Sequence, residues 1–357
     1  MMMYDRNILG GQAKRLGFVR DTFEKMYRLA DILGDVAADP ALSDVLALKG
    51  GTAINLTIFN LPRLSVDIDF DFIGDITREE LDAAKSNMLA RIDGYMKTHD
   101  YERKLGASKT VHTLNSFVYD YINAGGNRDN IKIEINYSLR NHILPTELRT
   151  VETLGIFKPM QVRCVAPIEI FAAKTIALLT RTAMRDLYDI NNLLKFGLFS
   201  DSEYDTLRTC AVFYAAIAGD GGLDTNALRK IDEVTYHQVR TDLNPVLRKD
   251  DGFNLETAKK AVKEFLAELL ILSPNEREFL AAFRNAEYRP ELLFEGDALE
   301  RVRYHPMAAW RINPDRNAEP TPRRQSILSE LEETEREVSA RNAASAPRSK
   351  GKDEQEI

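Results

Sequence analysis

Between Leu64 and Phe72 apolar and polar side chains alternate: Leu64, Val66, Ile68, Phe70 and Phe72 are separated by Ser65, Asp67, Asp69 and Asp71. That period of two predicts a strand whose apolar face turns inward while Asp67 and Asp69 project together from the other side. Neighbouring carboxylates repel, so the arrangement costs stability unless a cation lies between them. Mg²⁺ suits such a place, because it prefers oxygen ligands and commonly takes one or two carboxylates together with substrate phosphates. Taken alone, Asp-x-Asp is more simply a solvent-exposed acidic face. Two further features count against that reading.

Upstream, Lys49-Gly50-Gly51-Thr52 stands at a transition into a helix. Adjacent glycines let the backbone approach phosphate oxygens, a helix N-terminus offers free N–H donors, and the Thr52 hydroxyl adds another donor. Downstream, Ile131, Ile133 and Ile135 point one way, so Lys132, Glu134 and Asn136 point the other. Paired beside the Asp strand, Glu134 supplies a third carboxylate to the same face. Three carboxylates can hold two metal ions, a device that activates an attacking hydroxyl and stabilises a leaving pyrophosphate. Farther on, within PIEIFAAKTIALLTRTAMRDLYDINNLL, Lys174 and Arg181 stand two helical turns apart and share one face. Such a pair suits the β and γ phosphates of a nucleoside triphosphate. Arg185 and Asp189, four residues apart, read equally as a helix-surface ion pair worth a few tenths of a kcal/mol.

The elements that must position these residues follow from periodicity. Residues 11–38 read as one helix carrying Leu16, Val19, Phe23, Met26, Tyr27, Leu29, Ile32 and Leu33. A second helix is expected over 77–97, strands over 111–122 and 131–137, and a turn at Gly125-Gly126-Asn127. The expected organisation is an α+β catalytic core over residues 1–165 and a helical domain over 166–312 that opens at Pro167. A charged tail follows over 313–357, with a solvated helix at 325–341 and disorder at 342–357.

A length of 357 residues accommodates two domains and an appendage. No apolar run approaches the roughly 18 residues a membrane span requires, and no signal peptide is evident. Two cysteines, Cys164 and Cys210, are too few for a disulfide framework, so the expected location is the reducing cytoplasm. The net charge of −7 argues against sequence-independent coating of duplex DNA. It leaves room for nucleic acid held at a local basic cluster, such as Arg140, Lys158, Arg163, Arg181 and Arg185.

The run LKGGTAINLTIFNLPRLSVDIDFDF resembles the signature of the AbiEii/AbiGii family of nucleotidyltransferases, the toxin half of type IV toxin–antitoxin systems. Gly50, Gly51 and Thr52 fill its first part, and Arg63, Ser65, Asp67 and Asp69 its Arg-x-Ser-x-Asp-x-Asp. Lys132 and Glu134 match a second motif, Lys174 with Arg185, Asp186 and Asp189 a later one. The resemblance implies a DNA-polymerase-β-like fold, a mixed sheet with helices, followed by a helical C-terminal domain. It further implies NMP transfer from an NTP, with the tRNA 3′ acceptor end as acceptor, and an antitoxin partner, often a winged-helix regulator. By the same resemblance Asp67 and Asp69 hold Mg²⁺, Glu134 is the third acid and Lys174 holds the triphosphate. Asp186 or Asp189 either activates the acceptor or orients Lys174. Arg63, Ser65 and Lys132, with Arg181 and Arg185, are expected beside the nucleotide. Asp71 extends the acidic face, toward either metal or solvent. Residues 198–357 match nothing in the signature.

Three other readings compete. The same chemistry on a protein or small-molecule hydroxyl needs no RNA surface. A non-catalytic NTP-binding module would be expected to have lost a carboxylate. A glycosyltransferase Asp-x-Asp leaves the Gly-Gly-Thr loop and the third acid unexplained.

Overall fold

The computed structural model describes residues 4–313, apart from 75, 77, 152–154, 157–158, 220–222 and 224–226. Eight strands among these residues form one mixed sheet. They are β1 (Leu46–Lys49), β2 (Asp67–Phe72), β3 (Glu102–Arg103), β4 (Lys109–Val111), β5 (Leu114–Ile122), β6 (Arg128–Asn136), β7 (Glu147–Val151) and β8 (Met160–Cys164). The order is β3-β5-β6-β2-β1-β8-β7, with β4 hydrogen-bonded to β5. The Asp strand β2 is central, parallel to β6 on one side and antiparallel to β1 on the other. The expected strand over 64–72 thus forms from Asp67, while Leu64 donates its N–H to Val246 instead of to a neighbouring strand.

The apolar face of the sheet is the one predicted by alternation. Ile68, Phe70, Phe72, Ile131, Ile133 and Ile135 are buried in one continuous core with Phe117 and Tyr119. Helices of the chain's first half join that core. α1 (Arg6–Leu16) is capped by the Asp5 carboxylate, which accepts from the Asn7 and Ile8 N–H groups, and α2 (Arg20–Ala38) follows. The single helix expected over 11–38 is therefore two. Gly17 ends the first at φ +78, a left-handed conformation that satisfies the last carbonyls and re-aims the chain. After α3 (Pro40–Ser43) and β1, the chain turns through α4 (Gly50–Ala53) directly into a π-helical turn, Ile54–Ile58. The long helix α5 (Arg78–Thr98) matches the expected 77–97.

Pro167 opens α6 (Pro167–Arg181), as the sequence predicts, and α7 (Met184–Lys195) and α8 (Asp201–Ala218) follow. A tight left-handed turn at Thr182, φ 52, joins α6 to α7 and brings the end of one against the start of the next. Later helices, Leu255–Leu269, Pro274–Arg284 and Pro306–Ile312, add Val262, Leu266, Phe279 and Ala308 to the same core. The expected tail helix at 325–341 and the disorder at 342–357 lie outside the described residues. Cys164 and Cys210 are both free and buried. Among the described residues no helix is long and apolar enough to cross a membrane.

Candidate active site

The Gly-Gly turn and the Asp strand are in direct contact. Gly50 sits at φ +67, and a Cβ there would lie 2.5 Å from Asp69 Oδ2. A Cβ on Gly51 would lie 2.8 Å from Arg63 Nη2. Both glycines are thus fixed by what passes behind them as well as by backbone angle. Thr52 is fully buried, its hydroxyl bonded to the Asp67 carbonyl and, at 2.8 Å, to Ser65 Oγ. Thr52 and Ser65, expected at the nucleotide, therefore lie one layer below the surface and tie the turn to the Asp strand. Asn55 completes the tie, its Nδ2 donating to the Gly51 carbonyl at 2.7 Å.

The carboxylates share one face by register. Asp69 stands opposite Glu134 and Asp67 opposite Lys132 on β6, while Lys49 of β1 stands opposite Asp69. Burial pushes the Asp69 carboxyl above its ordinary value, and the nearby Asp67 and Glu134 charges add to this against the opposing pull of Lys49 and Lys174. Lys132 Nζ lies 2.9 Å from Glu134 Oε2. Asp71 does not face solvent. It is 2 % exposed, and its Oδ1 is 2.5 Å from Lys49 Nζ. From Asp71 a buried polar chain runs into the helical half. His142 Nε2 is 3.8 Å from Asp71 Oδ2, and His142 Nδ1 is 3.2 Å from Glu169 Oε1. Glu169 also accepts from the Ile143 and Leu144 N–H groups and from Tyr214.

A second charge cluster stands where α6 meets α7. Lys174 Nζ is 2.8 Å from Asp186 Oδ1 and 3.1 Å from Asp189 Oδ2. Arg181 Nε takes the other Asp186 oxygen at 2.8 Å, so the shared face predicted for Lys174 and Arg181 converges on one carboxylate. Asp189 is gripped on both oxygens by Arg63, Nε at 2.8 Å and Nη2 at 2.7 Å. Burial alone would raise both carboxyls, but Lys174 and Arg181 hold Asp186 below its ordinary value, and Arg63 and Lys174 do the same for Asp189. Low-pKa carboxylates saturated with cations make poor proton acceptors and good struts. The Arg185–Asp189 ion pair considered from sequence does not form, because Asp189 is taken by Arg63 and Lys174. Arg185 is half-buried and has no ion pair among the described residues. Arg63, expected beside the nucleotide, is 2 % exposed beneath the Gly-Gly turn.

Of the predicted residues, the structure gathers Gly50, Gly51, Asp67, Asp69, Glu134 and Lys132 on and beside the sheet face. The α6–α7 cluster borders them, since Lys174 and Arg181 both act electrostatically on Asp69 or are acted on by it. The basic cluster proposed for nucleic acid does not gather as a whole. Arg163 donates to the Ser43 carbonyl from β8, and Lys158 lies outside the described residues. Lys49, Asn55, His142 and Glu169 were missed; only Lys49, adjoining Gly50, carries a signal in the sequence. Among the described residues no three His, Cys, Asp or Glu side chains stand in ready metal-holding geometry.

Residues 31–286 match the profile of the nucleotidyl transferase AbiEii toxin family, type IV toxin–antitoxin system. The chain belongs to this family. It is a nucleotidyltransferase toxin of a type IV toxin–antitoxin system, and the family implies an NTP substrate and an antitoxin partner. Among solved structures the fold is similar to MenT4, a nucleotidyltransferase toxin from Mycobacterium tuberculosis, with TM-score 0.60 at 18% identity. That likeness covers 81% of this chain and 97% of MenT4. No curated protein matches the chain. The AbiEii assignment agrees with the α+β core and helical continuation expected from the motifs.

Proposed function

We propose that this AbiEii-family toxin transfers NMP from an NTP to the 3′ end of tRNA with Mg²⁺ as cofactor. The observation that carries the chemistry is the contact of Gly50 with Asp69, beside Glu134 in register on the parallel strand. A turn that lets backbone approach phosphate thereby adjoins the carboxylates that would hold a cation.

The residues fit Mg²⁺ by donor chemistry. They offer oxygen ligands only, with Asp67 beside Asp69 on the strand and Glu134 in register with Asp69 on the same face. Asp67 and Asp69 would hold the ion, with Glu134 as the third acid. Bound there, Mg²⁺ supplies charge neutralisation on the phosphates and lowers the pKa of an attacking hydroxyl.

The protein groups have separable tasks. Asp186 and Asp189 fix Lys174 Nζ near the sheet face, where its charge already acts on Asp69 and would meet the triphosphate. Arg181, whose side chain is 63 % exposed, offers its remaining N–H groups to the same phosphates. Arg63 fixes Asp189 and therefore Lys174. The test is incubation with Mg²⁺, total tRNA and each radiolabelled NTP in turn. Label entering tRNA from the wild type and lost in Asp69→Asn is the expected result. Label entering protein instead would move the acceptor to a protein hydroxyl.

A further inference from the structure

Strand β2 carries two overlapping Asp-x-Asp pairs, Asp67–Asp69 and Asp69–Asp71, and their surroundings differ. The three carboxylates share one face at equal steps of about 7 Å, so spacing alone does not choose between the pairs. Asp67 and Asp69 form no ion pair among the described residues. Asp71 is closed instead. It is buried, its Oδ1 lies 2.5 Å from Lys49 Nζ, and its Oδ2 faces His142 Nε2 at 3.8 Å.

Lys49 reaches Asp71 from a defined place. It ends β1, where the antiparallel register sets it opposite Asp69 and sets Ala47 opposite Asp71. The Lys49 side chain therefore runs diagonally along β2, a reach open to a long side chain. Burial has the largest influence on the Asp69 carboxyl, and Lys49 is the strongest charge acting on it, ahead of Asp67, Glu134 and Lys174. A fixed ammonium this close repels a metal ion from the Asp71 side and leaves the Asp67 side open. We propose that Lys49 is a positioning residue: anchored by Asp71, it takes the place of a cation between Asp69 and Asp71 and so confines Mg²⁺ to Asp67 and Asp69, on the reading that these carboxylates hold the metal. The buried chain from Asp71 through His142 to Glu169 then has a consequence for the reaction, because it fixes the carboxylate that fixes Lys49.

Mn²⁺ is the probe, since it takes oxygen ligands as Mg²⁺ does and its unbound fraction is counted by electron paramagnetic resonance. The protein is titrated with and without a non-hydrolysable NTP analogue, and NMP transfer with Mg²⁺ is measured in parallel. Lys49→Met frees Asp71 and is expected to bind one more Mn²⁺ per chain than wild type, with transfer down about a hundredfold, the order of a displacement near 1 Å. Lys49→Arg keeps the cation and is expected to keep the wild-type count. Asp71→Asn leaves the ammonium without its anchor and opposite Asp69, so Mn²⁺ affinity is expected to fall about tenfold. The double variant Lys49→Met/Asp71→Asn removes both the freed carboxylate and the freed ammonium. It is expected to return to the wild-type count and affinity and to recover most of the lost rate.

An unchanged Mn²⁺ count in Lys49→Met, in protein whose circular dichroism matches wild type, overturns the role. Unchanged Mn²⁺ affinity in Asp71→Asn does the same, and that variant carries the test should Lys49→Met not fold. A double variant as slow as Lys49→Met also overturns it, by placing Lys49 on the substrate itself. Wild type that binds no Mn²⁺, with the analogue or without, removes the metal reading, and the role of Lys49 with it.

Discussion

Asp69 is held in a compromise between charge and burial. Its carboxyl is raised by desolvation and by the Asp67 and Glu134 charges, so its ionised form is a source of strain that the proposed cation would relieve. Asp69→Asn is therefore expected to abolish NMP transfer and yet raise the melting temperature of the metal-free protein by a few degrees, read by calorimetry. A variant less stable than wild type would show that Asp69 is a structural residue. Arg181 should behave differently, because it is exposed and already pairs with Asp186. Arg181→Ala is expected to raise the KM for NTP about tenfold, the size of one charge-assisted hydrogen bond, with little change in folding stability. At this scale the sequence is readable where chemistry and period coincide. Asp67, Asp69 and Glu134 stand on one face because alternate strand positions must, and their partners are set by the β2–β6 register. Asp71 follows the same alternation, but its fate depends on Lys49, whose side chain reaches across from the neighbouring strand.

At the scale of elements, the Gly-Gly turn and the α6–α7 corner are positioned by contacts far apart in sequence. Gly50→Ala meets two penalties, a left-handed φ of +67 and a Cβ 2.5 Å from Asp69 Oδ2. The carboxylate must move, and a displacement near 1 Å is worth about a hundredfold in rate. The expected result is a folded protein by circular dichroism with activity down about a hundredfold. Arg63 joins residues 126 positions apart in its grip on Asp189, a pairing that no local pattern announces. Breaking a buried pair by removing one partner costs about 3–5 kcal/mol. Arg63→Ala is expected near the lower end, because Lys174 still contacts Asp189. Urea unfolding measures it, and a loss below about 1 kcal/mol would contradict a bracing role. The helix break at Gly17 was missed for a related reason. Apolar spacing continues through it, and only the left-handed cap separates α1 from α2.

For the whole molecule, the buried chain Asp71–His142–Glu169 joins the catalytic sheet to α6 and, through Tyr214, to α8. Burial opposes both charges. Even so, Glu169 and Asp71 hold His142 above its ordinary 6.5, and His142 holds Glu169 below its ordinary 4.5. The His142 contribution is complete below 6.5 and lost as pH rises through its raised folded value. The Glu169 contribution is complete above 4.5 and lost as pH falls through its lowered folded value. The pair therefore stabilises most between those limits. The melting-temperature difference between wild type and His142→Gln is expected to be larger at about pH 5.5 than at about pH 9, and a pH-independent difference would contradict the charged pair. The central claim, NMP transfer at the Asp69 face, is tested most directly by giving the protein tRNA, Mg²⁺ and one NTP labelled at either the α or the γ phosphate. The account predicts that α label enters RNA, that γ label leaves as pyrophosphate, and that both vanish in Asp69→Asn. Entry of γ label into RNA, or transfer undiminished in Asp69→Asn, would contradict it.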